Sequence, residues 1–168
     1  MTRHLATAVA RLSTIAALAA SLWLAGCARD VAPDVRYTLL DGSTHQSAQL
    51  RGQVVLVNFW ATSCTTCVKE MPQIVATHQK YAARGYETLA VAMSYDPPAY
   101  VANFAESRKL PFKVAIDNTG EIAKRFGDVQ LTPTTFLLNK RGEIVKRYVG
   151  EPDFAELHAQ VEKLLAES

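Results

Sequence analysis

The chain has 168 residues, 49% of them apolar and 20% charged, which fits one soluble domain and excludes a disordered or collagen-like chain. The formal charge of +2 comes from 18 Lys and Arg against 16 Asp and Glu, and Arg3 and Arg11 lie in a first stretch of 26 residues that has no acidic member. Beyond it the signs balance at 16 each, so neither nucleic acid nor a polyanionic surface is indicated as a partner.

Residues 1–26 have the layout of a secretory signal, with Arg3 and His4 at a basic start and an apolar stretch over 12–24. That stretch, about 13 residues, is shorter than the roughly 20 a helix needs to cross a hydrocarbon core. Its end, Leu24-Ala25-Gly26-Cys27, resembles the lipobox of bacterial lipoproteins. The resemblance implies cleavage before Cys27 and lipidation of that cysteine, and several acyl chains on one residue make a durable anchor. The expected organisation is a signal at 1–26, a lipidated tether at 27–34 and one domain at 35–168. Three cysteines are odd for an exported protein. Lipid on Cys27 leaves Cys64 and Cys67 as a pair, in a compartment that permits disulfides.

Along the domain, 36–40, an Asp41-Gly42 turn and a stretch to residue 50 read as two short strands or a hairpin. The apolar run 54–60, rich in β-branched and aromatic residues, predicts a central strand buried on both faces. Helical spacing through Val68, Met71, Ile74, Val75, Gln79 and Ala82 predicts a helix over 64–84, ended by Gly85. A strand is expected at 88–93, a helix from Pro97-Pro98 to about residue 108, a strand at 112–116 and a short helix at 121–126. A hairpin follows at 134–138 and 143–148, then an amphipathic helix at 154–165 with Asp153 as N-cap. This order predicts an α/β fold: a mixed central sheet with helices on both faces and a short N-terminal β extension.

Cys64-Thr65-Thr66-Cys67 sits where the buried strand gives way to the long helix. The spacing alone is common; its position makes it chemical. A helix N-terminus offers unpaired N–H groups and a positive dipole end, which stabilise a thiolate on Cys64 and lower its pKa. Cys64 is therefore the expected nucleophile, and Cys67, three residues on, is placed to resolve a mixed disulfide. Glu70 follows on the same side of the helix. By itself it reads as a solvated surface carboxylate. Pro133, heading a predicted strand, cannot donate to a ladder and belongs at an edge, a strand start or a kink. Trp60 is expected to pack beside the pair. Tyr95-Asp96-Pro97-Pro98 forms a loop after a strand, readable as a partner-binding loop or as helix-start chemistry.

The run Val55-Leu56-Val57-Asn58-Phe59-Trp60-Ala61-Thr62-Ser63-Cys64-Thr65-Thr66-Cys67-Val68-Lys69-Glu70-Met71-Pro72, with Thr132-Pro133-Thr134 downstream, resembles the thioredoxin superfamily. The likeness is to its membrane-tethered, periplasm-facing branch typified by TlpA and ResA, and covers about 36–165. It implies a thioredoxin-like fold, Cys64 and Cys67 as a redox-active disulfide with no further cofactor and no metal, and Pro133 in cis. It also implies that Thr132 offers its backbone to an incoming peptide, and that Glu70 tunes or shuttles the protons of the dithiol. Three positions depart from the pattern: Asn58 replaces a buried aspartate, Ser63 a tryptophan, and Thr65-Thr66 a proline-containing dipeptide. The first moves proton handling onto Glu70. The other two leave the redox potential, and with it the direction of electron flow, open.

The function expected is an exported, lipid-anchored thiol-disulfide oxidoreductase that reduces protein disulfides and is recharged by a membrane electron donor. It faces the periplasm of a bacterial envelope, with inner or outer membrane left open by Ala28 after the lipidated cysteine. Two alternatives stand beside it. In one, Cys64 and Cys67 form half of a metal site, although His45, His78 and His158 lack ligand spacing. In the other, the chain is a redox-silent binding lipoprotein. A two-residue gap closes a loop too small to stabilise much, which weighs against a purely structural disulfide.

Overall fold

The computed structural model describes residues 30–167; Cys27 and the signal expected at 1–26 lie outside them. A five-stranded sheet in the order β5-β4-β3-β6-β7 forms the centre. Its strands are β3 (Val54–Trp60), β4 (Tyr86–Ala92), β5 (Lys113–Ile116), β6 (Thr134–Leu138) and β7 (Ile144–Val149). A small antiparallel pair, β1 (Arg36–Thr38) and β2 (Thr44–Gln46), precedes it. The helices are α1 (Thr65–Tyr81), α2 (Pro98–Arg108), α3 (Glu121–Arg125) and α4 (Phe154–Ala166). β3 runs parallel to β4 and antiparallel to β6, so the sheet is mixed, as the sequence predicts.

Every residue of β3 is buried, and strand alternation divides them between two cores. Val54, Leu56 and Trp60 face Met71, Ile74 and Tyr81 of α1, Val101 of α2 and Leu157, Val161 and Leu164 of α4. Val55, Val57 and Phe59 face Val35, Tyr37 and Leu50 of the N-terminal extension, and Ile122, Phe126 and Val129 around α3. Helices thus cover both faces. Asn58 takes the parity of Leu56 and Trp60 and points a polar group at α1.

Element ends differ from expectation by one to four residues, the most in the second N-terminal stretch, which is a strand only over Thr44–Gln46 and a 3-10 turn over Ser47–Leu50. α1 gives way to a 3-10 turn at Ala82–Arg84, and Gly85 closes it with φ of 89°, a backbone angle glycine adopts freely. β4 starts at Tyr86 because Glu87, polar in sequence, is buried against Lys113 and near His78. The β6–β7 turn folds on Asn139, whose carbonyl accepts from the Gly142 N–H at 2.9 Å. Asp153 caps α4 as expected, accepting from the backbone N–H groups of Ala155 and Glu156. The described part of the expected tether lies along the domain. The Asp30 carbonyl accepts from Ile144 N–H at 2.7 Å, and Ala32 N–H donates to the Gly142 carbonyl at 2.9 Å. Further on, Leu39 forms an antiparallel bridge to Ala115. No helix among the described residues is long and apolar enough to cross a membrane.

Candidate active site

Parallel pairing of β3 with β4, and antiparallel pairing with β6, bring three loops to one end of the sheet. Trp60 at the end of β3 is level with Ala92 of β4, and Phe59 is level with Thr134, the first residue of β6. The loops 61–64, 93–97 and 131–133 therefore meet there. A Met93 N–H to Trp60 carbonyl bond of 2.9 Å extends the ladder past the strands.

The first loop turns sharply, with Cys64 N–H donating to the Ala61 carbonyl at 3.1 Å. Cys64 is the N-cap of α1, and the Val68 N–H to Cys64 carbonyl bond at 3.0 Å opens the helix. Its Sγ accepts from the Cys67 N–H at 3.1 Å, the bond a serine or aspartate would take at a helix start. Cys64 and Cys67 form a disulfide, their Cα atoms 5.2 Å apart. The two sulfurs are unequal in access: Cys64 is partly exposed, whereas Cys67 is 0% exposed.

Glu70, three residues past Cys67, is not on the solvent surface where a lone helical carboxylate ordinarily sits; it is 0% exposed. Asn58 explains how it is tolerated. The Asn58 Nδ2 group donates to Glu70 Oε1 at 3.0 Å and to Thr135 Oγ1 at 2.9 Å. Among the described residues, Glu70 Oε2 and Asn58 Oδ1 have no hydrogen-bond partner. Burial pushes the Glu70 carboxyl up to about 7; the Asn58 hydrogen bond opposes the rise and the charge of Glu151 adds to it. A carboxyl in that range exchanges its proton near neutrality.

The third loop carries a cis peptide between Thr132 and Pro133. Pro133 is buried, and its carbonyl accepts from Gly150 N–H at 2.8 Å. The Thr132 and Tyr95 hydroxyls are 3.3 Å apart. Trp60 packs on Phe104 with ring centroids 5.1 Å apart and is fully buried. His45, His78 and His158 do not join this site: they pack against Tyr37, Phe112 and Tyr81 respectively.

Two contacts were not legible in the residues. One is the Thr135 hydroxyl beneath Asn58, visible only once β3 and β6 are in register. The other is Asp96, whose carboxylate does not cap α2 but binds Thr62. The available signal is the run Tyr95-Asp96-Pro97-Pro98, readable as a partner-binding loop or as a helix start, and neither reading places Asp96 on Thr62.

The profile of the family described as Redoxin matches residues 28–163. The thiol-disulfide oxidoreductase ResA of Bacillus thuringiensis subsp. konkukian is 36% identical over 133 residues, 79% of this chain and 76% of the relative. Among solved structures, a thioredoxin candidate from Neisseria meningitidis superposes with a TM-score of 0.77 at 39% identity, covering 83% of this chain and 93% of that one. A thiol:disulfide interchange protein of the thioredoxin family from Chlorobium tepidum gives 0.76 at 26% identity, covering 84% and 100%. The thioredoxin-like fold inferred from sequence is thus found in both sheet and relatives.

Proposed function

The chain belongs to the Redoxin family and is a thiol-disulfide oxidoreductase, and from that premise we propose that Cys64 and Cys67 reduce protein disulfides in the order their access dictates. The observation that carries this is the unequal exposure of two sulfurs at one helix start. In the dithiol form the Cys64 thiolate, held by N–H groups of the first turn, attacks one sulfur of a client disulfide. That S–S bond breaks, a mixed disulfide forms, and the other client sulfur leaves as a thiolate. Cys67 then gives its proton to the Glu70 carboxylate and attacks Cys64 Sγ. The second client sulfur is released and the Cys64–Cys67 disulfide closes. Two electrons have passed to the client.

Thr132, beside buried Pro133, presents backbone to the client chain while Cys64 attacks. No cofactor beyond the cysteine pair takes part. The disulfide is recharged by two electrons from a thiol-disulfide donor in the membrane.

The domain works outside the cytoplasm, facing the periplasm, after removal of residues 1–26 and lipidation of Cys27. Asp30 is already hydrogen-bonded to the start of β7. The three residues from Cys27 to Asp30 span at most about 11 Å, so the anchor holds the domain against the bilayer surface, near such a donor.

Two measurements test this reading. In an insulin-reduction assay with dithiothreitol, the soluble domain should shorten the lag and Cys64→Ser should fall to the uncatalysed rate; activity equal to wild type in Cys64→Ser defeats the assignment of the nucleophile. In cells, Cys27→Ser should lose incorporated palmitate and leave the membrane fraction. Label retained in that variant rules out lipidation at Cys27.

A further inference from the structure

The loop that follows β4 binds the turn that precedes Cys64 through a buried carboxylate. Thr62 N–H donates to Asp96 Oδ2 and Thr62 Oγ1 donates to Asp96 Oδ1, both at 2.6 Å. Asp96 is only 3% exposed, and its own N–H is fixed on the Met93 carbonyl at 2.9 Å. These bonds continue the β3–β4 pairing by one more rung, built from a side chain where the strands have parted. Charge-assisted bonds of this length are the strong members of their class, and a carboxylate left unpaired at such burial is costly. Asp96 and Thr62 are 34 positions apart.

We propose that Asp96 is a positioning residue for Cys64: its two bonds to Thr62 hold the turn 61–64 in place when the disulfide is open. The inference rests on the role assigned to Cys64 above. In the oxidised protein the Cys64–Cys67 bond itself restrains the turn, together with the 3.1 Å Cys64 N–H to Ala61 bond. In the dithiol protein that cross-link is gone. The Asp96 clamp then keeps the Cys64 sulfur over the Cys67 N–H, the donor it has at 3.1 Å in the disulfide form. The clamp therefore favours the reduced state more than the oxidised one. Loss of it destabilises the thiolate and moves the dithiol–disulfide equilibrium toward the disulfide.

Asp96 also brings a negative charge to the site, which acts in the opposite sense, and substitutions separate the two. An asparagine accepts from the Thr62 N–H through its carbonyl and donates to the Thr62 hydroxyl through its amide, so Asp96→Asn keeps both bonds without the charge. Asp96→Ala loses both. Equilibration with glutathione, read by thiol alkylation, should show Asp96→Ala shifted about tenfold toward the disulfide, equivalent to about 30 mV. Thr62→Val should move the same way by a smaller factor, while Asp96→Asn and Thr62→Ser rescue. The pH dependence of Cys64 alkylation should shift upward in Asp96→Ala alone of the Asp96 pair.

If Asp96→Ala and Asp96→Asn move together, the charge and not the clamp is responsible, and the proposal is overturned. It is equally overturned if Asp96→Ala matches wild type. Should Asp96→Ala fail to fold, the comparison of Thr62→Val with Thr62→Ser decides: equal equilibria defeat the clamp. A wild-type protein with no exchange activity would instead strike at the role of Cys64, a result distinct from any of these.

Discussion

Replacing Cys67 with serine should turn a catalytic cycle into a dead end. With Cys64 free to attack and no second thiol to resolve, a client bearing a disulfide accumulates as a covalent adduct on Cys64. On non-reducing gels the adduct should appear as a band at the summed mass and vanish with dithiothreitol. Steady-state insulin reduction should fall at least about 100-fold, because release then depends on attack by bulk thiol. Cys64→Ser should form no such band, since Cys67 is wholly buried and cannot reach a client's sulfur. Equal trapping by the two variants would mean that access does not set the order of attack.

The second large effect concerns Glu70, and its two readouts have opposite signs. Glu70→Gln removes the proton acceptor, so resolution of the mixed disulfide should slow by about 100-fold at pH 7 and above, within the range typical of a positioned general base. The rate should also lose its dependence on pH around 7, the value to which burial raises this carboxyl. Stability should change the other way. The carboxyl titrates near the ordinary 4.5 in the unfolded chain and near 7 in the folded one. The folded protein therefore prefers the protonated acid. The associated stability is fully present below about pH 4.5 and lost as pH rises through 7, a change of up to about 3 kcal/mol. A glutamine carries no such penalty and can still accept from Asn58. In denaturant titrations of the oxidised proteins, Glu70→Gln should equal wild type near pH 4 and exceed it by up to about 3 kcal/mol at pH 8. Burial lowers the pKa of His78 and His158, giving a slope of opposite sign below about 6.5, but both proteins share it and it cancels in the difference. A constant difference across pH would show that burial does not raise the Glu70 carboxyl above its value in the unfolded chain.

Much of this site was legible from local chemistry. The unbroken apolar run 54–60 has no solution but a strand covered on both sides, and a cysteine at the start of a helix is a cap as well as a nucleophile. Gly85 and Asp153 mark helix ends by backbone freedom and by side-chain acceptance, each a property of one residue. What escaped the sequence were pairings across the sheet. Nothing near Glu70 in the chain says that it is buried; the reason is Asn58, 12 positions earlier and on the facing strand. Glu87 looks like a boundary until Lys113 is set beside it by the β4–β5 register. Asp96 precedes two prolines and reads as the start of a helix, yet its partner is Thr62. In each case the partner that fixes a polar residue is distant in sequence: 12 positions for Glu70, 26 for Glu87 and 34 for Asp96.

The N-terminal segment has a consequence for the protein in a crowded compartment. Outer strands of a sheet present unpaired backbone groups that recruit strands from other molecules and seed aggregates. Here Leu39 bridges to Ala115 on β5, while Asp30 and Ala32 pair with Ile144 and Gly142 where β7 begins. One short stretch of chain thus blocks both flanks, and the remainder of β7 exposes Lys146 and Arg147, charges that repel a like strand. Trimming the chain to begin at β1 would leave the fold's catalytic end untouched and open the β7 flank to self-association.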